Sequence, residues 1–213
     1  MREREFFYPN RFAHRYLTCT AEICGKNGMT ALLHLAKLSD YIEHPPPDNL
    51  VEEFNIVEIS QLHYAFEEMG RPRMGRGLAW RTGMCVMHNH IFDFPQVPFS
   101  QSDQGKVALA DALPVIIQVM TQYLSEPPSI VENETTYAFS LETCPACYGR
   151  NPTLREKDWT QSPPCKGVCG MVEGGLWRLT GARYDVKEVA CIAREGSMCE
   201  FVVEKQISHK QWS

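Results

Sequence analysis

Nine cysteines stand in this 213-residue sequence, and six of them crowd into its last third: Cys144, Cys147, Cys165, Cys169, Cys191 and Cys199. Thiolates are soft ligands that suit zinc and iron–sulfur clusters, so a cluster of this density points first to metal chemistry. Two groupings are open on spacing. In one, Cys144-x2-Cys147 and Cys165-x3-Cys169 form a four-thiolate site, each pair gripping a tetrahedral ion from one tight turn. In the other, Cys165 comes from a loop, Cys191 and Cys199 from the two strands of a hairpin, and Glu188 supplies a carboxylate. Regular strand alternation puts Glu188 and Cys191 on opposite faces, so the second grouping requires a bulge between them. Nothing before Cys19 reads as a secretion signal, so Cys19, Cys24 and Cys85 are expected as reduced, core-packed thiols and the chain as cytoplasmic.

Other residue types suggest weaker chemistry. Arg71, Arg73, Arg76 and Arg81, interleaved with glycines, could hold a carboxylate or phosphate by forked hydrogen bonds. Trp80, Trp159, Trp177 and Met120 could line an apolar ligand cavity. His88 and His90 form an H-x-H pair, which without a third ligand reads as a polar loop or dimer edge. No nucleophile–base pair, phosphate loop or dinucleotide fingerprint is visible, so no catalytic residue is assigned. A net charge of -5 without a basic helix argues against direct nucleic-acid binding. No apolar run reaches the length of a membrane span.

These side chains must be positioned by the elements around them, and the sequence predicts α+β architecture. Residues 1–125 read as a helical part and 126–213 as the cysteine-bearing part of one compact domain. A helix is expected from Arg11, broken at Gly25–Gly28 and resumed through Leu38; another starts at an N-cap Ser60. Gly70 to Gly77 reads as a basic turn. Leu109, Leu113, Ile116, Ile117, Met120 and Tyr123 share one face of a helix over about 106–124. Val131, Tyr137, Phe139 and Leu141 alternate as a half-buried strand, and Met171–Leu179 is a short helix capped by Gly181. Residues 185–204 read as a hairpin that pairs Cys191 with Cys199 across a loop with Gly196 left-handed.

The stretch Cys144-Pro-Ala-Cys147, Pro164-Cys165-x4-Gly170-x3-Gly174, Glu188-Val-Ala-Cys191 and Gly196-Ser-Met-Cys199-Glu-Phe201 resembles the 4-vinyl reductase domain family. That family includes a bacteriochlorophyll-biosynthesis protein, sensor domains of bacterial phenol- and xylene-responsive activators, and archaeal hydrocarbon-binding proteins. The resemblance implies the ligand-binding fold shared with Golgi transport-particle subunits and haem–nitric-oxide-binding domains. It also implies a bacterial or archaeal homodimer joined through its N-terminal helices, and a structural zinc on Cys165, Glu188, Cys191 and Cys199. The function it implies is a free-standing sensor or carrier of a small hydrophobic molecule rather than a catalyst. The alternatives are a tetrapyrrole 4-vinyl reductase or its accessory protein, an iron–sulfur redox protein, and an interaction module without ligand.

Overall fold

The computed structural model describes residues 6–69, 72–148, 165–194 and 196–208, with the backbone alone over 72–76. A short antiparallel pair, β1 (Phe7–Pro9) and β2 (Glu52–Asn55), brackets the first helix, α1 (Asn10–Leu35). Phe12, Ala13, Tyr16, Leu17 and Cys19 bury one face of α1. The break expected over Gly25–Gly28 is a single kink at Gly25, whose φ of 72° is the left-handed conformation glycine adopts without steric cost.

α2 (Ile56–Met69) begins four residues before the expected cap at Ser60. Asn55 caps it instead: Val57 N–H donates to Asn55 Oδ1 at 2.8 Å, while Asn55 N–H donates to Glu58 Oε2 at 2.7 Å. α3 (Pro72–His90) occupies most of the segment read as a basic turn. Pro72 at the first helical position starts it, because proline lacks only an N–H that a helix start leaves unbonded. α4 (Leu109–Met120) buries Leu113, Ile116, Ile117 and Met120 as its periodicity requires.

The segment read as one strand is a hairpin of β3 (Ile130–Glu132) and β4 (Thr136–Leu141). Val131 accordingly faces solvent at 56% exposure, while Phe139 and Leu141 are buried. With β5 (Tyr184–Ala190) and β6 (Cys199–Ile207) they form an antiparallel sheet in the order β3-β4-β6-β5. Phe139 and Phe201 pair across β4 and β6 and stack at 5.1 Å on the buried face.

α5 (Lys166–Thr180) connects the cysteine loop to the hairpin and stops at Gly181, left-handed at φ 74° as expected of a cap. Glycines seat it against α3 almost backbone to backbone. A Cβ on Gly170 would lie 2.1 Å from the Trp80 carbonyl oxygen, and one on Gly83 2.1 Å from that of Gly167. Among the described residues no helix is long and apolar enough to cross a membrane.

Candidate metal centre

Three structural units deliver cysteines to one buried point. The first is the turn after β4, where Cys147 N–H and Tyr148 N–H both donate to the Cys144 carbonyl, at 2.9 and 2.8 Å. Two side chains three residues apart are thereby turned toward one side. The second is Cys165, the residue just before α5. The third is the base of the β5–β6 hairpin, with Cys191 after the last residue of β5 and Cys199 the first of β6.

The sulfurs converge. Cys165 Sγ lies 3.4 Å from Cys144 Sγ, 3.2 Å from Cys147 Sγ and 3.8 Å from Cys199 Sγ. Cys147 is 3.6 Å from Cys191 and 3.8 Å from Cys199, and Cys191 is 3.9 Å from Cys199. Zinc–thiolate bonds of about 2.3 Å set tetrahedral sulfurs about 3.8 Å apart, so the spacing suits an ion of that size. Two groups of four donors each lie within 4.8 Å of one another: Cys144, Cys147, Cys165 and Cys199; and Cys165, Glu188, Cys191 and Cys199. The second group is the one the carboxylate-containing grouping names. The first takes Cys199 where the four-cysteine grouping has Cys169. Cys169 stays outside both, one turn into α5, its N–H donating to the Cys165 carbonyl at 3.1 Å.

The strand irregularity that Glu188 requires is present. Glu188 pairs with Phe201 and Ala190 with Glu200, a register shift that breaks alternation before Cys191. Glu188 Oε2 accepts the Cys165 N–H at 3.2 Å, while its Oε1 is buried without a hydrogen-bond partner, which suits a coordination bond. The hairpin loop differs from the expected tight turn. Ile192–Arg194 form a 3-10 turn, and Gly196 is not left-handed. Gly196 serves close approach instead: a Cβ there would lie 2.6 Å from the Cys191 carbonyl oxygen.

Electrostatically the cluster favours one thiolate. Thiols of Cys144, Cys147, Cys165 and Cys191 hydrogen-bond to Cys199 and draw its pKa down. Burial pushes Cys144 up to about 11 and raises Cys165, and the hydrogen bond to Cys144 raises Cys147. Further thiolates in this space need a cation to replace their protons. The N-terminus of α5 adds a fixed positive potential beside Cys165.

A second feature lies further along α5. Trp80 and Met84 of α3, Glu173 and Trp177 of α5, and Arg183 and Tyr184 line a cavity of about 50 Å³. Trp80 Nε1–H donates to Glu173 Oε2 at 2.5 Å and Val186 N–H to Oε1 at 3.0 Å. Burial nonetheless pushes the Glu173 carboxyl up to about 7. Trp177 contacts His88, ring centroids 4.2 Å apart, and the Arg183 guanidinium 4.0 Å from its ring centroid. Burial, followed by the charge of Arg178, lowers the His88 pKa.

Of the expected ligand residues, Trp80 and Trp177 thus share a cavity. Met120 is buried in the core, its carbonyl taking the Tyr8 hydroxyl at 2.7 Å, and Trp159 lies outside the described residues. Arg81 is exposed on α3; Arg71 and the side chains of Arg73 and Arg76 lie outside the description. His88 and His90 fall in the last turn of α3 rather than on a strand or loop, and His90 Nδ1 sits 3.2 Å from Asp93. The expectation that Cys19 and Cys85 are unpaired is corrected: they form a disulfide joining α1 to α3. Sequence reasoning misses Glu173, whose one signal is a lone charge in the otherwise uncharged run Val168–Trp177.

No protein-family model matches the chain, and no curated protein matches it by sequence. Solved structures do. A variant of the Tt H-NOX domain aligns over 96% of this chain and 99% of its own, at 12% identity and a TM-score of 0.55. A protein described for the modulation of haem redox potential through porphyrin distortion aligns over 92% and 98%, at 12% identity and a TM-score of 0.54. A trafficking protein particle complex subunit 3 from Naegleria fowleri, covalently bound to palmitic acid, covers 71% of this chain and 85% of its own, at 14% identity and a TM-score of 0.46. The chain therefore has the α+β fold of H-NOX domains, as expected, and it carries a C-terminal cysteine cluster able to hold a metal ion.

Proposed function

We propose that this chain is a zinc-containing domain of the 4-vinyl reductase type that binds a small hydrophobic molecule and acts as a sensor or carrier. The observation that carries the reading is the convergence of Cys144, Cys147, Cys165, Cys191, Cys199 and Glu188 from three units of the fold. Zinc is the ion of choice because it accepts mixed sulfur and oxygen ligation in tetrahedral geometry. With four protein donors the ion has no open position, so its role is structural. At about 50 Å³, the Trp80–Trp177 cavity favours a guest far smaller than haem. A site for a drug-sized molecule measures about 300–1,000 Å³. The Trp80–Trp177 cavity admits a few heavy atoms. The same reading gives a homodimer through the N-terminal helices, near which Leu35, Ile42, Leu50 and Val51 are exposed.

Elemental analysis and native mass spectrometry of the purified protein test both halves. Zinc is expected in the wild type and in Cys169→Ser, and is expected to be lost from Cys199→Ser. Wild-type protein that stays metal-free in excess zinc under reducing conditions defeats the metal reading. Small aromatic and aliphatic compounds are expected to change tryptophan fluorescence, and the double change Trp80→Ala/Trp177→Ala to abolish that response. A zinc-loaded protein that binds none of them is an interaction module rather than a sensor or carrier.

A further inference from the structure

We propose that the cysteine cluster is a dinuclear centre, in which two metal ions share the thiolates of Cys165 and Cys199; this rests on the metal-binding reading above. The two four-donor groups have those two residues in common. Their sulfurs are 3.8 Å apart, which is the edge length of a zinc–thiolate tetrahedron, about 3.8 Å. Two tetrahedra that share an edge hold two ions, and a thiolate has the lone pairs to bridge them.

The terminal ligands divide in the same way. Cys144 and Cys147 complete one tetrahedron; Glu188 and Cys191 complete the other. Both pairs have x2 spacing, so each ion is gripped by one local chelating pair. The bridging thiolates come from elsewhere, Cys165 from the start of α5 and Cys199 from the start of β6.

One ion leaves donors over. Placed in the four-cysteine group, it leaves Glu188 and Cys191 off the metal, a carboxylate with a buried oxygen beside an anionic thiolate centre. Placed in the carboxylate group, it leaves the Cys144 and Cys147 sulfurs 3.4 and 3.2 Å from a metal-bound Cys165 with no ion between them. Two ions occupy every donor. Five thiolates and one carboxylate give six negative charges against four positive, leaving two negative. A single ion on four thiolates leaves the same charge. Loading requires two adjustments. The bridging sulfurs must draw closer, because regular tetrahedra on a 3.8 Å edge set their centres only about 2.7 Å apart. Cys147 and Cys191, 3.6 Å apart, become terminal ligands of opposite ions and must separate. Both sit in turns rather than in the paired part of the sheet.

The test is stoichiometry with a bridging signature. Reduced protein reconstituted with zinc is expected to retain two ions per chain after desalting, and Cys144→Ser/Cys147→Ser to retain one. In wild-type protein titrated with cobalt, the paramagnetic resonance signal is expected to grow with the first ion and to fall with the second, as the bridging sulfurs couple the spins. That measurement needs no variant. One zinc per chain in the wild type overturns the dinuclear centre and leaves the proposed function standing; no zinc overturns both. Two cobalt ions whose signals simply add overturn the bridge.

Discussion

Replacing Glu173 by Gln removes the one carboxyl lining the Trp80–Trp177 cavity, and the structure gives the size and sign of the effect. Glu173 is 5% exposed, and burial raises its carboxyl to about 7 from an ordinary 4.5, although Trp80 and Val186 both donate to it. A raised value means that the folded chain holds the proton more tightly than the unfolded chain. Stability from this group is therefore complete below about pH 4.5 and is lost as pH rises through about 7. At about 1.4 kcal/mol per unit, that interval is worth roughly 3 kcal/mol. Gln does not ionise, but it offers one acceptor to two N–H donors, and its own amide turns toward the second. The variant is thus expected to be less stable at about pH 5, by about 1–3 kcal/mol. By about pH 8 that deficit should shrink by roughly 2–3 kcal/mol and close or reverse. The assay is urea unfolding of both proteins at fixed saturating zinc, since metal linkage otherwise shifts the midpoint. The same deficit at every pH would refute the assignment of a buried, proton-holding carboxyl.

Gly170→Ala drives a Cβ against the Trp80 carbonyl and should cost about 3 kcal/mol or more, seen as a lower denaturant midpoint. Gly77→Ala, on the same α3 but with nothing within 4 Å, should be neutral or stabilise by up to about 1 kcal/mol. Alkylation of denatured, metal-free, unreduced protein should label seven thiols, Cys19 and Cys85 being joined; nine labelled thiols would contradict the disulfide. Cys85→Ser should then cost about 4 kcal/mol, as expected for a cross-link spanning 66 residues. Stripping zinc with a chelator should weaken binding of any cavity ligand, measured by tryptophan fluorescence before and after zinc is restored.

What the sequence made legible was local. The α4 face of Leu113, Ile116, Ile117 and Met120 follows from helical period, and the Gly181 stop follows from the one residue free to adopt a left-handed cap. The chelating pairs Cys144-x2-Cys147 and Glu188-x2-Cys191 are likewise visible as spacing. Their common centre is not, because it depends on the pairing of β4 with β6. Leu141 lies opposite Cys199, so the turn that follows β4 lands beside the start of β6 and exchanges Cys169 for Cys199. The glycines of 70–77 suggest a turn, yet the chain is helical from Pro72. Glycine tolerates a helix interior at about 1 kcal/mol, and Pro72 gives this one a start. Burial of Glu173 and the meeting of Cys19 with Cys85 are tertiary facts that no periodicity encodes.

The path of the chain between Cys165 and Cys191 gives the proposed metal centre a way to shape the cavity without touching its guest. The chain leaves the cluster at Cys165 and enters α5, whose Gly170 seats it on α3. Glu173 and Trp177 then form one wall of the cavity, and after the Gly181 stop Arg183 and Tyr184 form another. Four residues beyond Tyr184 the chain returns to the cluster through Glu188, and then through Cys191. Most of the cavity wall is thus contained in a loop whose two ends meet at the cysteine cluster. Without the ion, closing that loop has to be sustained by the sheet and the α3–α5 contact alone, against the entropy of an open chain. With an ion bound, the closure energy would be supplied outside the cavity, so the wall could carry the buried Glu173 carboxyl without coming apart. On the proposed function, stability and recognition thus fall to different parts of one helix.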